Sequence, residues 1–307
     1  MSDEKNTNDV ELEQLRAEMR QMRDEARQMR DEAAKMKTEI EQERQQLAER
    51  LASIDAQGGQ WNDYLEIHGL HVEFDGFVAV KDIDLTVMHG DLRFLIGPNG
   101  AGKTTIIDAI TGLVPASGSA MFGGEQLLGK KPNAIVRLGV GRTFQTASVV
   151  EELSVLQNLQ LAEGFRKKTS ELFAKQGGAS QNIQKILEVC NLKDDADKPA
   201  GILPHGKKQW LEIGMLLVQD AHLLLLDEPV AGMTPAERQQ TGELLRQISR
   251  NRTVVIVEHD MDFMRQFADS VTVLNQGQIL AEGGVEDIQN NEEVVRIYLG
   301  GDGGDDK

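Results

Sequence analysis

The chain has 307 residues, with 33 basic against 50 acidic side chains and a formal charge of −17, a length that suits one sizeable α/β body plus an appendage. That acidic balance, with no basic run longer than Arg-Lys-Lys, argues against a nucleic-acid partner, and the single Cys190 excludes an internal disulfide and a multi-cysteine metal site. No apolar run approaches the roughly 20 residues that cross a bilayer, and the polar start MSDEKNTNDV has no signal-peptide core, so a soluble, cytoplasmic chain that meets a membrane only through a partner is expected.

Residues 10 to 55 lack Gly and Pro and contain the internal repeat QMRDEARQMRDEAAKM. Leu12, Leu15, Met19, Met22, Ala26, Met29, Ala33, Met36, Ile40, Leu47 and Ile54 follow a three-four spacing, interrupted at Glu43 and Arg50. This spacing predicts a heptad coiled-coil helix over 1–57, on the order of 65 Å long, pairing with a helix of undefined identity. A single solvated helix held by Glu/Arg pairs is the competing form. The glycines of DAQGGQ end it, a linker over 58–63 follows, and the main body is expected over 64–300. There, short apolar runs alternate with helical patterns, as in a mostly parallel sheet with crossover helices. The last residues, 301–307, form an acidic tail of disordered composition.

Within the body, LRFLIGPNGAGKTTIIDAITGL joins a buried strand (Leu92 to Ile96) to a helix (Ile106 to Thr111). Gly97, Gly102, Lys103 and Thr104 complete the spacing G-x-x-x-x-G-K-[ST] between them. Glycines let backbone N–H groups close on phosphate oxygens, and the helix N-terminus adds its positive end. The cradle runs through Gly97, Pro98, Asn99, Gly100, Ala101, Gly102, Lys103, Thr104 and Thr105; Lys103 reaches the outer phosphates and Thr104 holds Mg²⁺. ATP and Mg²⁺ are the expected cofactors. Further on, the apolar strand Leu223 to Leu226 ends in Asp227, suited to Mg²⁺, and Glu228, suited to polarising the attacking water. A third strand, in TVVIVEHDMDF, is followed by His259, a candidate γ-phosphate contact.

In this order the motifs resemble the ATP-binding cassette family across about 64–300. The resemblance implies an α/β fold of a RecA-like core, an antiparallel β subdomain and a helical subdomain near 147–218. It implies an ATPase in which Asp227, Glu228 and His259 are the Walker B aspartate, catalytic glutamate and switch histidine. Phe74 falls where the family stacks an aromatic on adenine, with Phe77 a near competitor. Gln145 matches the loop glutamine that touches Mg²⁺ and water. GRTFQ, LLLLDEPVAGMT and VVIVEHDMDF look like importers of branched-chain amino acids and related solutes, and HGKKQWLEIGMLL looks most like the first ATPase subunit of urea-uptake systems. Expected partners are therefore a second ATPase subunit (a different chain in a heterodimer first, a second copy in a homodimer as the alternative), two permeases and, indirectly, a solute-binding protein.

The family signature, close to LSGGQ, here reads Leu203, Pro204, His205, Gly206, Lys207. In the family this motif faces the phosphate loop of a second cassette, and proline supplies neither a hydroxyl nor an N–H. The following helix is expected to begin near Lys207. Two other readings stand beside an importer ATPase. One is a weakly hydrolysing, ATP-sensing scaffold that recruits a partner through its coiled coil. The other is a chromosome-maintenance type of ATPase, disfavoured because its phosphate loop and Walker B strand lie on opposite sides of a long coil.

Overall fold

The computed structural model describes residues 64–144, 148–164 and 180–299. The expected coiled coil, the 58–63 linker, Gln145 and the acidic tail lie outside these residues.

Two sheets organise the body. The first is antiparallel, in the order β2-β1-β4-β5, from β1 (Leu65–Phe74), β2 (Phe77–Val87), β4 (Ser117–Phe122) and β5 (Glu125–Gln126). β1 alternates buried and more accessible residues along much of its length, as a strand with one covered face does. The second sheet has six strands in the order β10-β9-β3-β8-β7-β6. Its members are β3 (Leu92–Ile96), β6 (Val140–Arg142), β7 (Leu223–Asp227), β8 (Thr253–Val257), β9 (Ser270–Asn275) and β10 (Gln278–Gly283). Only β10 runs antiparallel to its neighbour; β3, β6, β7, β8 and β9 pair in parallel. The apolar runs LRFLI, LLLLD and TVVIV are buried at every position, which is why they show no alternation in the sequence.

Nine helices are described in this body: α1 (Lys103–Ile110), α2 (Pro132–Arg137), α3 (Val155–Gly164), α4 (Gln181–Val189), α5 (His205–Val218), α6 (Pro235–Ser249), α7 (Met261–Phe267), α8 (Val285–Gln289) and α9 (Glu292–Leu299). α3, α4 and α5 pack on one another, and α5 is bound to α6 where the buried Trp210 indole N–H donates to Thr241 Oγ1 at 2.8 Å. α6 starts from a capping box in which Thr234 and Glu237 satisfy each other's backbone N–H groups, with Pro235 in the first turn. α1 opens at Lys103, earlier than the apolar pattern from Ile106 indicates, because its first turn is Lys-Thr-Thr and carries no apolar signal. Cys190 is a free, buried thiol packed where α4 ends, and burial pushes it up to about 12. Among the described residues, no helix is long and apolar enough to cross a membrane.

Candidate nucleotide-hydrolysis site

The register of the parallel sheet builds the site. Leu95 of β3 and Asp227 of β7 both pair with Val257 of β8. The residues that leave these three strands therefore emerge level at one sheet edge: the loop from Gly97, the pair Asp227–Glu228, and Glu258–His259. In parallel sheets this carboxyl edge is where ligands bind.

The loop from Gly97 to Gly102 depends on residues without side chains at two close approaches. Gly97 has φ 152°, and a Cβ there would stand 2.2 Å from the Leu274 carbonyl oxygen. Gly102 has φ 101°, and its Cβ would stand 2.8 Å from the Ala79 oxygen. Pro98, Asn99 and Gly100 are exposed while Ala101 is buried, so the loop's crest faces solvent over a packed base. Lys103 Nζ folds back across it, donating to the carbonyls of Gly97 at 2.7 Å and Pro98 at 3.0 Å. Burial holds the Lys103 ammonium below its ordinary range, while Glu228 and Asp227 pull it upward. A half-buried cation beside a helix N-terminus, whose first N–H groups have no intrahelical partner, fits a polyanion.

Asp227 is 1% exposed. Its backbone N–H donates to Thr143 Oγ1 at 3.2 Å, and Arg142 stands 3.8 Å from Oδ2. The same Arg142 bonds Asp108 of α1 and lies 4.8 Å over the Phe144 ring. Burial raises the Asp227 carboxyl above its usual range, against the pull of Arg142 and the Thr104 hydroxyl. Oδ1 is buried and accepts no hydrogen bond from the described residues. A dry carboxylate oxygen without a donor, next to a threonine hydroxyl, is the oxygen donor set that a hard divalent cation takes. These residues fit Mg²⁺.

Glu228 follows in the left-handed region at φ 50°, a conformation uncommon for a residue with a side chain. Its N–H donates to the Val257 carbonyl at 2.9 Å, which fixes the turn. The turn takes the Glu228 side chain out of the strand's burial, and Oε1 comes 3.5 Å from Nδ1 of His259.

The remaining sequence candidates fall elsewhere on the surface. Phe74 and Phe77 pair across the tip of the β1–β2 hairpin and are 41% and 68% exposed, so both rings are accessible to a planar ligand. In the signature, Leu203 is buried with an extended backbone at ψ 145°, as a residue before proline prefers. Pro204 is the N-cap of α5, and its carbonyl accepts from Lys208 N–H at 3.1 Å. α5 therefore starts at His205, ahead of the expected start near Lys207: the ring of Pro204 fixes φ at −53°, and helical geometry begins directly after it. Pro204 and His205 are exposed. Gly206 is buried, and a Cβ on it would stand 2.9 Å from Glu237 Oε1. Lys207 is committed to Asp195, which also accepts from Lys198 at 2.5 Å, and Lys208 pairs with Glu151 at 2.7 Å.

Sequence patterns alone did not mark Arg142, Thr143 or Glu258. Arg142 and Thr143 become visible only when β6 is paired with β7. Glu258 had a signal of the kind that marked Asp227, an acid at the end of a wholly apolar strand.

A glycine loop, a lysine, a dry aspartate, a glutamate and a histidine at one sheet edge define a nucleoside-triphosphate hydrolase of the P-loop class. Comparisons with known proteins narrow this. The family model described as ABC transporter matches residues 80–231, and that of the branched-chain amino acid ATP-binding cassette transporter matches 278–304. The high-affinity branched-chain amino acid transport ATP-binding protein LivG of Escherichia coli (strain K12) is 36% identical over 249 residues, covering 77% of this chain and 97% of its own length. BraF of Pseudomonas aeruginosa, bearing the same description, is 35% identical over 248 residues, 77% of this chain and 97% of its own. A crystal structure of the ADP conformation of an ATP-binding cassette of an ABC transporter superposes with a TM-score of 0.68 at 31% identity, over 78% of this chain and 99% of the other. The chain belongs to the ATP-binding subunits of ABC transporters, of the branched-chain amino acid importer type, and is an ABC-type ATPase.

Proposed function

We propose that this subunit drives uptake of a small polar solute, urea first and branched-chain amino acids or short amides next, through two permeases and beside a second, different ATPase. It would work peripherally on the inner face of the plasma membrane, with a solute-binding protein supplying the permeases. The urea reading is supported by α5 itself, whose HGKKQWLEIGMLL resembles urea-uptake ATPases; the names of LivG and BraF favour branched-chain amino acids.

The observation that carries the hydrolytic role is the Glu228 carboxylate beside His259, at the same sheet edge as Lys103 and Asp227. Lys103 exchanges the Gly97 and Pro98 carbonyls for the β and γ phosphates, with the α1 N-terminus supplying further donors. Thr104, Asp227 and Gln145 would hold Mg²⁺, which when bound neutralises charge on the phosphates. Glu228 polarises the water that attacks the γ-phosphorus as the bond to the bridging oxygen breaks, and His259 contacts the γ-phosphate oxygens. Phe74 stacks on adenine.

Leu203 to Lys207 serve the nucleotide of the partner cassette. Pro204 presents neither hydroxyl nor N–H there, so hydrolysis is weakened on the partner's nucleotide and kept on the one held by Lys103. A scaffold that senses ATP but turns it over slowly is the second reading, and it rests on that same proline. Reconstitution of the subunit with its permeases and second ATPase in proteoliposomes, assayed for uptake of labelled urea and labelled leucine, tests the solute. ATP-dependent urea uptake supports the reading, and leucine uptake without urea uptake overturns it.

A further inference from the structure

Glu258 lies between β8 and His259 and is 1% exposed. Its carboxylate is the meeting point of two chain segments. Oε1 accepts from the N–H of Val230 at 3.3 Å, and Oε2 accepts from the N–H groups of His259 at 3.1 Å and Asp260 at 3.4 Å. Val230 belongs to the turn that carries Glu228, two residues earlier, whereas His259 and Asp260 lead into α7. Asp260 in turn caps α7 by accepting from Phe263 N–H at 2.9 Å, and pairs with Arg238 of α6 at 2.5 Å. One buried side chain therefore bridges the backbone of the catalytic turn to that of the histidine turn.

We infer that Glu258 is a positioning residue for hydrolysis, holding Glu228 and His259 in register by hydrogen-bonding both of their turns at once. A strand pairing cannot do this, because both turns have left the sheet. Glu228 N–H already uses the Val257 carbonyl at 2.9 Å. An apolar residue at 258 would leave the buried Val230 N–H and the part-buried N–H groups of His259 and Asp260 without this acceptor, and a buried donor left unpaired is costly. The turns would then shift to find partners, and a misplacement of about 1 Å at a catalytic group can cost about 10²-fold in rate. The phosphate loop is tied to β3 and α1, and Glu258 accepts no hydrogen bond from it, so nucleotide affinity should not follow the rate. The inference rests on the hydrolytic reading of Glu228 and His259.

The experiment compares wild type, E228Q, E258Q and H259A, each full-length and assembled with the partner subunits. Steady-state kcat and KM for MgATP are measured together with thermal unfolding. Loss of turnover in E228Q secures the underlying reading independently. E258Q keeps the size of the side chain and one carbonyl acceptor but sets an amide NH₂ against N–H donors. Its kcat is expected to fall about 10- to 100-fold with KM within about twofold, and the double variant E258Q/H259A should lose less than the product of the single losses. Wild-type kcat in E258Q, a KM that rises in step with the fall in kcat, multiplicative losses in the double variant, or an E258Q that does not fold would each overturn it. The last would make Glu258 a residue of stability alone.

Discussion

Glu228 Oε1 stands 3.5 Å from Nδ1 of His259, and the backbone that brings it there is left-handed at φ 50°. The residue thus combines the place proposed for the general base with a conformation that a side chain disfavours. E228Q should lower ATP turnover by about 10²- to 10⁴-fold, the usual range for a general base, with ATP binding retained. E228G should be equally inactive yet as stable as wild type or up to about 1 kcal/mol more stable, since glycine adopts this φ without strain. Turnover and thermal unfolding of both variants check this.

Pro204 caps α5 without a side-chain bond and is exposed at the start of the signature. P204S restores a hydroxyl and an N–H at that point. Turnover of the pair containing the second ATPase should rise, by up to about 10²-fold at the site served by this signature. The check is turnover in a pair whose partner retains its own glutamate while this chain carries E228Q. Equal rates with proline and serine there would contradict the assignment.

Glu212 on α5 is 4% exposed and accepts N–H groups from Phe144 at 3.4 Å and Ser148 at 3.2 Å, which bracket Gln145. Burial nevertheless raises its carboxyl from 4.5 to about 7. The folded state thus binds a proton that the unfolded chain has released between those values, so this contribution to stability is complete below pH 4.5 and is lost as pH rises to about 7. E212Q keeps an acceptor for both N–H groups and removes the titration. It should be more stable than wild type above neutral pH by on the order of 2 kcal/mol, and the difference should shrink toward pH 5. Denaturant unfolding at several pH values reads this directly.

Gly242 lies within α6, where alanine ordinarily stabilises a helix by about 1 kcal/mol. Here a Cβ would stand 2.3 Å from the buried Phe267 ring. G242A should therefore destabilise by about 1–3 kcal/mol through overpacking, a sign opposite to the helix propensity. A thermal unfolding midpoint for G242A at or above wild type would contradict this.

The apolar runs LRFLI, LLLLD and TVVIV announce the parallel sheet because full burial removes any need for alternation. The phosphate loop is legible because its chemistry fixes a spacing. Relationships that exist only in three dimensions are not. Arg142 meets Asp108 from 34 residues away, and Glu258 meets Val230 from 28. Glu258 repeats the strand-end acid pattern that marks Asp227, but no linear pattern pairs it with Val230. α5 starts at His205, two residues ahead of the expected Lys207, because Pro204 is its N-cap and helical geometry begins directly after it.

The most direct measurement is ATP turnover by the full-length chain assembled with its second ATPase and permeases, wild type beside E228Q, with MgATP binding measured in the same preparations. Turnover in wild type, and its loss in E228Q with binding intact, is the expected result. Equal turnover in the two would contradict the assignment of Glu228, and no turnover in either with ATP still bound would leave the slow ATP sensor as the better description.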